Sequence, residues 1–470
     1  MIKWRKFKVR FYIALFVAKC ARLGIRIFGK ALHLNGSHFP GNLARRIDPE
    51  FYNKVAKPET IIAVTGTNGK TTTCNMIIDV LEKTGHKVLS NKAGSNTIGG
   101  ISTTFLSGVT LFNKPKYKIC VLEVDERSSL RIYPYIKPNY LVVTNLFRDS
   151  LKRNAHSEFI FNIINSSLSE DTVLILNSDD LISNRMKAEG KNKKIFFGID
   201  KLETDKKESV NIVNDARICP NCYTKLKYEF VRYHHIGKAY CPNCGYKSPE
   251  ADYLVTKVDK AAEKIEIRTK DGKVSAYKMA SDSIFNVYNE VACITLLREI
   301  GIKDEVIKKA FDELEIAKSR YMKETVNGVH IVNNLAKGQN PVACSIVFDY
   351  VKNEPGEKEV CLLIEDFHDN LESSENIAWF YDCDFEFLND PSIKKVAVGG
   401  HRAMDVKFRL LLAGVPEEKI VAYEEIEKIP DELNKTKGET IYILYDMYEQ
   451  ANTDKLNDLL KKSLRNGGNN

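Results

Sequence analysis

Hydrophobic positions along the chain gather in short β-branched runs separated by helix-spaced stretches. The first run, Thr60–Thr65 (TIIAVT), ends at Gly66. A glycine-rich stretch and a helical pattern over residues 74–84 follow, which is how an α/β domain opens. Strand-like runs return at 119–124, 140–144 and 172–176, with a helical stretch at 158–168. This alternation predicts a parallel sheet with helices on both faces. The pattern then breaks over residues 215–249 into an insert rich in Cys, Tyr and Lys. Residues 253–280 read as short strands around the turn Asp271-Gly272, and helices are predicted over 287–299 and 304–314. Strand-like runs resume at 329–332, 359–364, 395–398, 420–422 and 440–444, with a helix over 403–412. We therefore expect a basic N-terminal arm (1–45), a central domain (46–318, insert 215–250) and a smaller C-terminal α/β domain (319–470). The tail from Arg465 onward reads as frayed.

The length of 470 residues suits this division, at roughly 150 residues per domain. A hydrophobic fraction of 43% excludes wholesale disorder. The longest apolar run, residues 11–18, falls far short of the roughly 20 residues of a membrane span. No small-residue cleavage site follows it, so no signal peptide is expected. Eleven cysteines are an odd number, and four of them form two C-P-x-C pairs. That pattern predicts a reducing, cytoplasmic setting and a metal site, not a disulfide framework.

The net charge of +8 is concentrated at one end. Residues 1–30 hold Lys3, Arg5, Lys6, Lys8, Arg10, Lys19, Arg22, Arg26 and Lys30 with no acid, and the other 440 residues carry a net −1. Phe7, Phe11, Leu15 and Ala18 recur there at helical spacing. Two readings follow: a basic amphipathic helix lying peripherally on anionic lipid, or a helix packed on the body with solvated lysines.

Two motifs carry chemistry. Gly66-Thr67-Asn68-Gly69-Lys70-Thr71-Thr72 approximates a P-loop between a strand and a helix. Its glycines let backbone N–H groups face phosphate oxygens, and the helix N-terminus favours the anion. Lys70 would reach the β/γ-phosphates of ATP and the Thr71 hydroxyl would ligate Mg²⁺. Glu123, at the end of a neighbouring strand, is the favoured carboxylate ligand for that Mg²⁺, ahead of Asp125 and Glu126. The plainer reading is a glycine turn followed by solvated acids. The second motif is Cys219-Pro-Asn-Cys222 with Cys241-Pro-Asn-Cys244, whose spacing suits a tetrahedral structural Zn²⁺. Tyr223, Tyr228, Tyr233, His234 and His235 beside it would either stack bases or pack a small ribbon.

GTNGKTTT, VLEVDE, VVTNLFRDSL, LNSDD and NVYNEVA together resemble the Mur ligases. The Cys₄ insert and YDCDFE narrow the resemblance to the MurT-like subunits of lipid II isoglutaminyl synthase. The resemblance implies an ATP-dependent carbon–nitrogen ligase of peptidoglycan biosynthesis. Such an enzyme would activate the D-glutamate α-carboxyl of lipid II as an acyl phosphate, for ammonia supplied by a GatD-like glutamine amidotransferase subunit. No G-x-C-x-G elbow is visible, as befits a chain that imports ammonia. By motif match Asn145 and Asp149 would line the site, Asn289 would contact adenine and Arg320 would reach ATP from the far domain. Asp382 would support the partner's catalytic histidine. The family's G-R-x-E is here Ser319-Arg320-Tyr321-Met322, and two of its C-terminal aspartates are Ser373 and Asn376. Its N-P-A-G-F-N stretch is also altered, over residues 334–340. Two other readings stand beside this one. One is a Mur-type ligase that adds an amino acid, as folylpolyglutamate synthases do. The other is a zinc-ribbon nucleic-acid-binding protein, disfavoured because the ribbon nets only +3 over residues 215–250.

Overall fold

The computed structural model describes residues 2–28, 38–92, 95–149, 156–281, 283–314, 321–336, 339–364 and 374–466. The chain divides into two compact units. One holds Met1–Phe147, Ser157–Glu208 and Ala216–Leu314; the other holds Arg148–His156, Ser209–Asp215 and Glu315–Asn470. A cut at a single point in the chain does not reproduce this division, because two short segments that precede residue 315 belong to the second unit.

The first unit is built on a nine-stranded sheet. Its strands are β1 (Thr60–Thr65), β2 (Val88–Ser90), β3 (Ile119–Glu123), β4 (Tyr140–Val143), β5 (Val173–Asn177), β6 (Lys194–Ile199), β9 (Tyr253–Asp259), β10 (Lys264–Thr269) and β11 (Val274–Lys278). The spatial order is β11-β10-β9-β6-β5-β4-β1-β3-β2. Pairing is parallel from β2 through β9 and antiparallel for β9–β10 and β10–β11. The expected parallel sheet thus ends in an antiparallel meander, because Asp271-Gly272 allows a tight turn where a helical crossover would otherwise be needed. Ile61, Ile62, Ala63 and Val64 of β1 are all buried, as a central parallel strand covered on both faces requires. The short strand β2 and strand β6 have no counterpart among the predicted runs. The insert contributes the hairpin β7 (Lys227–Tyr233) and β8 (Ile236–Tyr240).

The N-terminal segment, expected as a basic arm or helix, is a helix over Ile2–Phe28. Phe11, Ala14, Leu15 and Ala18 are buried in the core of the first unit, and Phe11 stacks on Phe51. Lys19 Nζ donates to the carbonyls of Leu106 (2.9 Å) and Val109 (2.8 Å), and burial lowers its pKa to about 8. Packing on the body therefore accounts for the apolar stripe that the sequence picks out. Among the described residues, no helix is long and apolar enough to cross a membrane.

The second unit has a six-stranded sheet of β12 (Tyr321–Val326), β13 (Val329–Leu335), β14 (Lys358–Leu363), β15 (Ile393–Gly399), β16 (Ile420–Tyr423) and β17 (Thr440–Tyr445). The order is β12-β13-β17-β14-β15-β16, and every pair is parallel except β12–β13. Helices Pro341–Asn353, Ala403–Leu412 and Gln450–Asn466 accompany it. The last of these reaches Asn466, past Arg465 where fraying is expected, and residues 467–470 lie outside the described residues.

Candidate active site and metal centre

Strand β1 lies between β3 and β4, so the carboxyl ends of three strands converge where the strand order reverses. That is where open α/β sheets bind ligands. Gly66 (φ +130°) and Gly69 (φ +85°) turn the chain there. A Cβ on Gly66 would lie 2.3 Å from Thr144 Oγ1, and one on Gly69 would lie 2.2 Å from Asn289 Oδ1. Both positions therefore exclude side chains on two counts, backbone conformation and space. The helix Lys70–Lys83 starts directly at Gly69 with no side-chain cap. Its first amides are thus left for an anion.

Residues after β4 hold the loop. Asn145 Oδ1 accepts from the Asn68 amide (2.9 Å), and Asn145 Nδ2 donates to the Asn68 carbonyl (3.0 Å). Thr67 Oγ1 accepts from the Phe147 amide (2.9 Å). Asn289 is buried against Gly69, and its Oδ1 accepts from Thr73 Oγ1 (3.2 Å). In this structure Asn145 and Asn289 thus both brace the loop.

The three acids after β3 have separate tasks. Glu123 Oε2 accepts from Thr71 Oγ1 (2.8 Å) and Glu123 Oε1 from Asn96 Nδ2 (3.1 Å), so the hydroxyl and carboxylate expected to share Mg²⁺ are adjacent. Asp125 accepts from the amides of Arg127 and Ser128 and caps the turn Glu126–Ser128. Glu126, which is buried, receives Lys70 Nζ at 2.6 Å. Burial raises the Glu126 pKa, while the Lys70 charge opposes that rise. Sequence reasoning placed Glu126 at the strand end but not as the partner of Lys70. Its three-residue offset from Glu123, followed by a turn, was the available signal.

The four insert cysteines converge, with all Sγ atoms within 4.8 Å of one another. Cys219 Sγ is 3.5 Å from Cys244 Sγ, and Cys222 Sγ is 3.4 Å from Cys241 Sγ. Each C-x-x-C is followed by a left-handed residue, Tyr223 (φ +60°) or Gly245 (φ +75°), and the Asn221 amide points at Cys219 Sγ (3.4 Å). Four converging thiols on two such turns fit a tetrahedral metal. The hairpin is fastened below. Arg232 bonds Asp205 (2.7 Å), and His235 Nε2 lies 3.1 Å from Asp180 Oδ1 with both side chains fully buried. That hydrogen bond lowers the Asp180 pKa, although burial alone would raise it. Asp180 Oδ2 also accepts from the Leu146 amide (2.7 Å). His234, His235 and Tyr233 are thus occupied by packing; Tyr223 is exposed.

In the second unit, Trp379 and Phe380 are buried and Tyr381 is exposed. Arg148 Nη1 donates to Asp382 Oδ2 at 3.0 Å, and its other nitrogens bond Asp215, which holds the guanidinium firmly protonated. Asp384 is buried and accepts from Asn211 Nδ2 (2.8 Å) and the Ile212 amide (2.6 Å). Asp149 Oδ1 accepts from Asn340 Nδ2 (3.2 Å), and Asn340 caps the helix Pro341–Asn353. Asp149 and Asn145 therefore lie in different units. Arg320 lies outside the described residues.

A family model for the Mur ligase middle domain matches residues 64–244, and one for the MurT ligase C-terminal region matches 337–448. The chain is 32% identical over 453 residues to the subunit MurT of lipid II isoglutaminyl synthase (glutamine-hydrolyzing) from Staphylococcus aureus (strain COL), covering 94% of this chain and 98% of that one. The chain belongs to the MurT family. It is also 31% identical to the subunit MurT of Streptococcus pneumoniae (strain ATCC BAA-255 / R6), over 87% of this chain and 89% of that one. A solved pseudomurein peptide ligase type C from Methanothermus fervidus shares the fold, with TM-score 0.66 and 20% identity over 90% of this chain and 83% of that one.

Membership in the MurT family makes the chain an ATP-dependent carbon–nitrogen ligase of peptidoglycan biosynthesis, as the motifs led us to expect. The Mur ligase fold implies ATP and Mg²⁺, and the four-cysteine cluster is a site able to hold a metal. The match of the MurT C-terminal model spans residues 337–448 and includes Ser373 and Asn376, where the resemblance led us to expect aspartates.

Proposed function

We propose that this chain is the ligase subunit that amidates the D-glutamate α-carboxyl of a lipid II-type acceptor in the cytoplasm, using ammonia from a GatD-like glutaminase subunit. The observation that carries this is the MurT C-terminal region following a Mur-type nucleotide loop in one chain. A carboxylate is a poor electrophile. Its oxygen would attack the γ-phosphorus of ATP and expel ADP, giving an acyl phosphate. Ammonia would then attack the acyl carbon, lose a proton and displace phosphate.

The chain's own contribution is positioning and charge neutralisation. Loop amides from Gly66 to Thr72 would bind the phosphates. Lys70, held by Glu126, would lie beside the transferring group. Thr71 and Glu123 would hold Mg²⁺, which when bound offsets charge on the phosphate oxygens. Cys219, Cys222, Cys241 and Cys244 would hold a structural Zn²⁺. In the second unit, Asp382 would orient the partner's histidine.

The test is reconstitution with a glutaminase subunit, ATP, Mg²⁺ and a lipid II-type acceptor, using amide-labelled ¹⁵N-glutamine. Label in the product carboxamide is expected. A product extended by an amino acid, with no dependence on glutamine, would return the chain to a generic Mur-type ligase.

A further inference from the structure

The helix Ile2–Phe28 has two apolar faces, and among the described residues only one of them is covered. The inner face is the one that packs in the core of the first unit. Half a turn away stand Val9, Tyr12, Ile13, Phe16, Leu23 and Ile27, which are between 46% and 61% exposed. At 100° per residue, positions 9, 13, 16, 20, 23 and 27 fall within an arc of about 80° along roughly 27 Å of helix. They therefore form a continuous stripe instead of scattered exposed residues, and such stripes on soluble proteins mark interaction sites.

The charge around the stripe selects its occupant. Arg26 is exposed along one edge, and Arg10 is exposed along the other. The first 47 residues contain eleven Lys and Arg and no Asp or Glu, the first acid being Asp48. A second copy would set the same cationic rim against this one, and like charges at an interface oppose that pairing. A bilayer with anionic headgroups offers both an apolar layer for the stripe and counter-charge for the rim. The buried inner face fixes the helix to the body, so it can lie in the interface plane but cannot cross.

We infer that the outer face of this helix docks the enzyme on an anionic membrane surface. The inference rests on the helix alone and does not depend on the substrate proposed above. The residues that touch lipid are the 9/13/16/23/27 stripe, not the Phe11/Leu15/Ala18 stripe apparent in the sequence.

The test is flotation of the full chain with phosphatidylglycerol-containing vesicles and with pure phosphatidylcholine vesicles. We expect binding to the anionic vesicles only, weakened by salt. Phe16→Glu with Ile13→Glu should weaken it by about tenfold or more, and the rim substitution Arg26→Glu should weaken it too. All three positions are exposed, so the variants should keep the wild-type melting temperature and vesicle-free ATP turnover. A blue shift of indole emission in Phe16→Trp on adding anionic vesicles would place the stripe in the bilayer. Equal flotation by Phe16→Glu/Ile13→Glu would overturn the inference. So would absence of flotation together with self-association that the same substitutions abolish, which would assign the face to a second copy.

Discussion

Arg148 Nη1 donates to Asp382 Oδ2 at 3.0 Å, and the same guanidinium holds Asp215. One cation thus joins a segment that follows β4, a segment that precedes the cysteine ribbon and the C-terminal loop, all within the second unit. Asp382 is presented on a braced loop with its carboxylate partly open to solvent, whereas both oxygens of Asp384 are taken by Asn211 and Ile212.

This difference separates the two acids experimentally. Asp382→Asn should leave the fold and complex assembly intact while slowing glutamine hydrolysis by the reconstituted complex, by about two orders of magnitude or more if it orients the partner's histidine. Asp384→Asn should instead lower stability. Arg148→Ala should do both, costing on the order of 2 kcal/mol because the largely buried Asp215 loses its hydrogen bonds to the guanidinium. Glutamine hydrolysis and thermal melting, measured side by side, check all three. Unchanged hydrolysis in Asp382→Asn would remove the role proposed for it.

Lys70→Ala should abolish ATP turnover, and Glu126→Gln should lower it less. Removing Lys70 also leaves Glu126 buried without its cation. Its raised pKa then rises further, which favours the neutral carboxyl, so the variant should still fold. Far-UV circular dichroism and an ADP-release assay check this; wild-type turnover by Lys70→Ala would refute the assignment of the loop.

For the cysteine cluster we predict about one zinc per chain, with Zn–S distances near 2.3 Å. Cys219 and Cys241 belong to the same core cluster as β1 and β3, whereas Cys244 is exposed. Cys244→Ser should therefore lose metal and hydrogen-exchange protection around residues 219–224 and 241–246. The hairpin β7–β8, held by Arg232 and His235, should stay protected, and ATP binding should persist. An unchanged metal content would contradict the site.

Glu290 is fully buried in the helix Ile284–Glu299, and burial raises its pKa from 4.5 to about 8. Its Oε1 accepts from the Ala280 amide (2.9 Å), while Oε2 has no hydrogen-bond partner among the described residues. The folded state therefore holds a proton that the unfolded state releases above its ordinary pKa. Stability from this group is fully present below about pH 4.5 and is lost progressively as pH rises to about 8. Glu290→Gln keeps the Ala280 acceptor and should stabilise the protein at pH 8 by a few kcal/mol, with little change near pH 5. Denaturant melts at the two pH values check this; an equal shift at both would rule it out.

Much of the fold was legible locally. The run TIIAVT, the glycines of the loop and the C-x-x-C pairs each specify backbone geometry over a few residues, so the strand, the glycine turn and the cysteine turns follow from sequence. The helix Ala403–Leu412 appears where its pattern put it. Strands β2 and β6 were not legible: one is only three residues long and the other, KIFFGI, follows a lysine-rich stretch with no period of its own.

The division of labour among neighbours was decided only by tertiary structure. Glu123, Asp125 and Glu126 are alike in sequence. Which one meets Thr71, caps a turn or pairs with Lys70 depends on β3 lying beside β1 in parallel register. The N-terminal helix shows the same limit. Hydrophobic spacing and a basic charge determined that it is an apolar-striped cationic helix, but it carries apolar residues on two faces. Which face the core takes depends on where Phe51, Leu106 and Val109 come to lie, and those contacts form only when distant segments of the chain are folded against it.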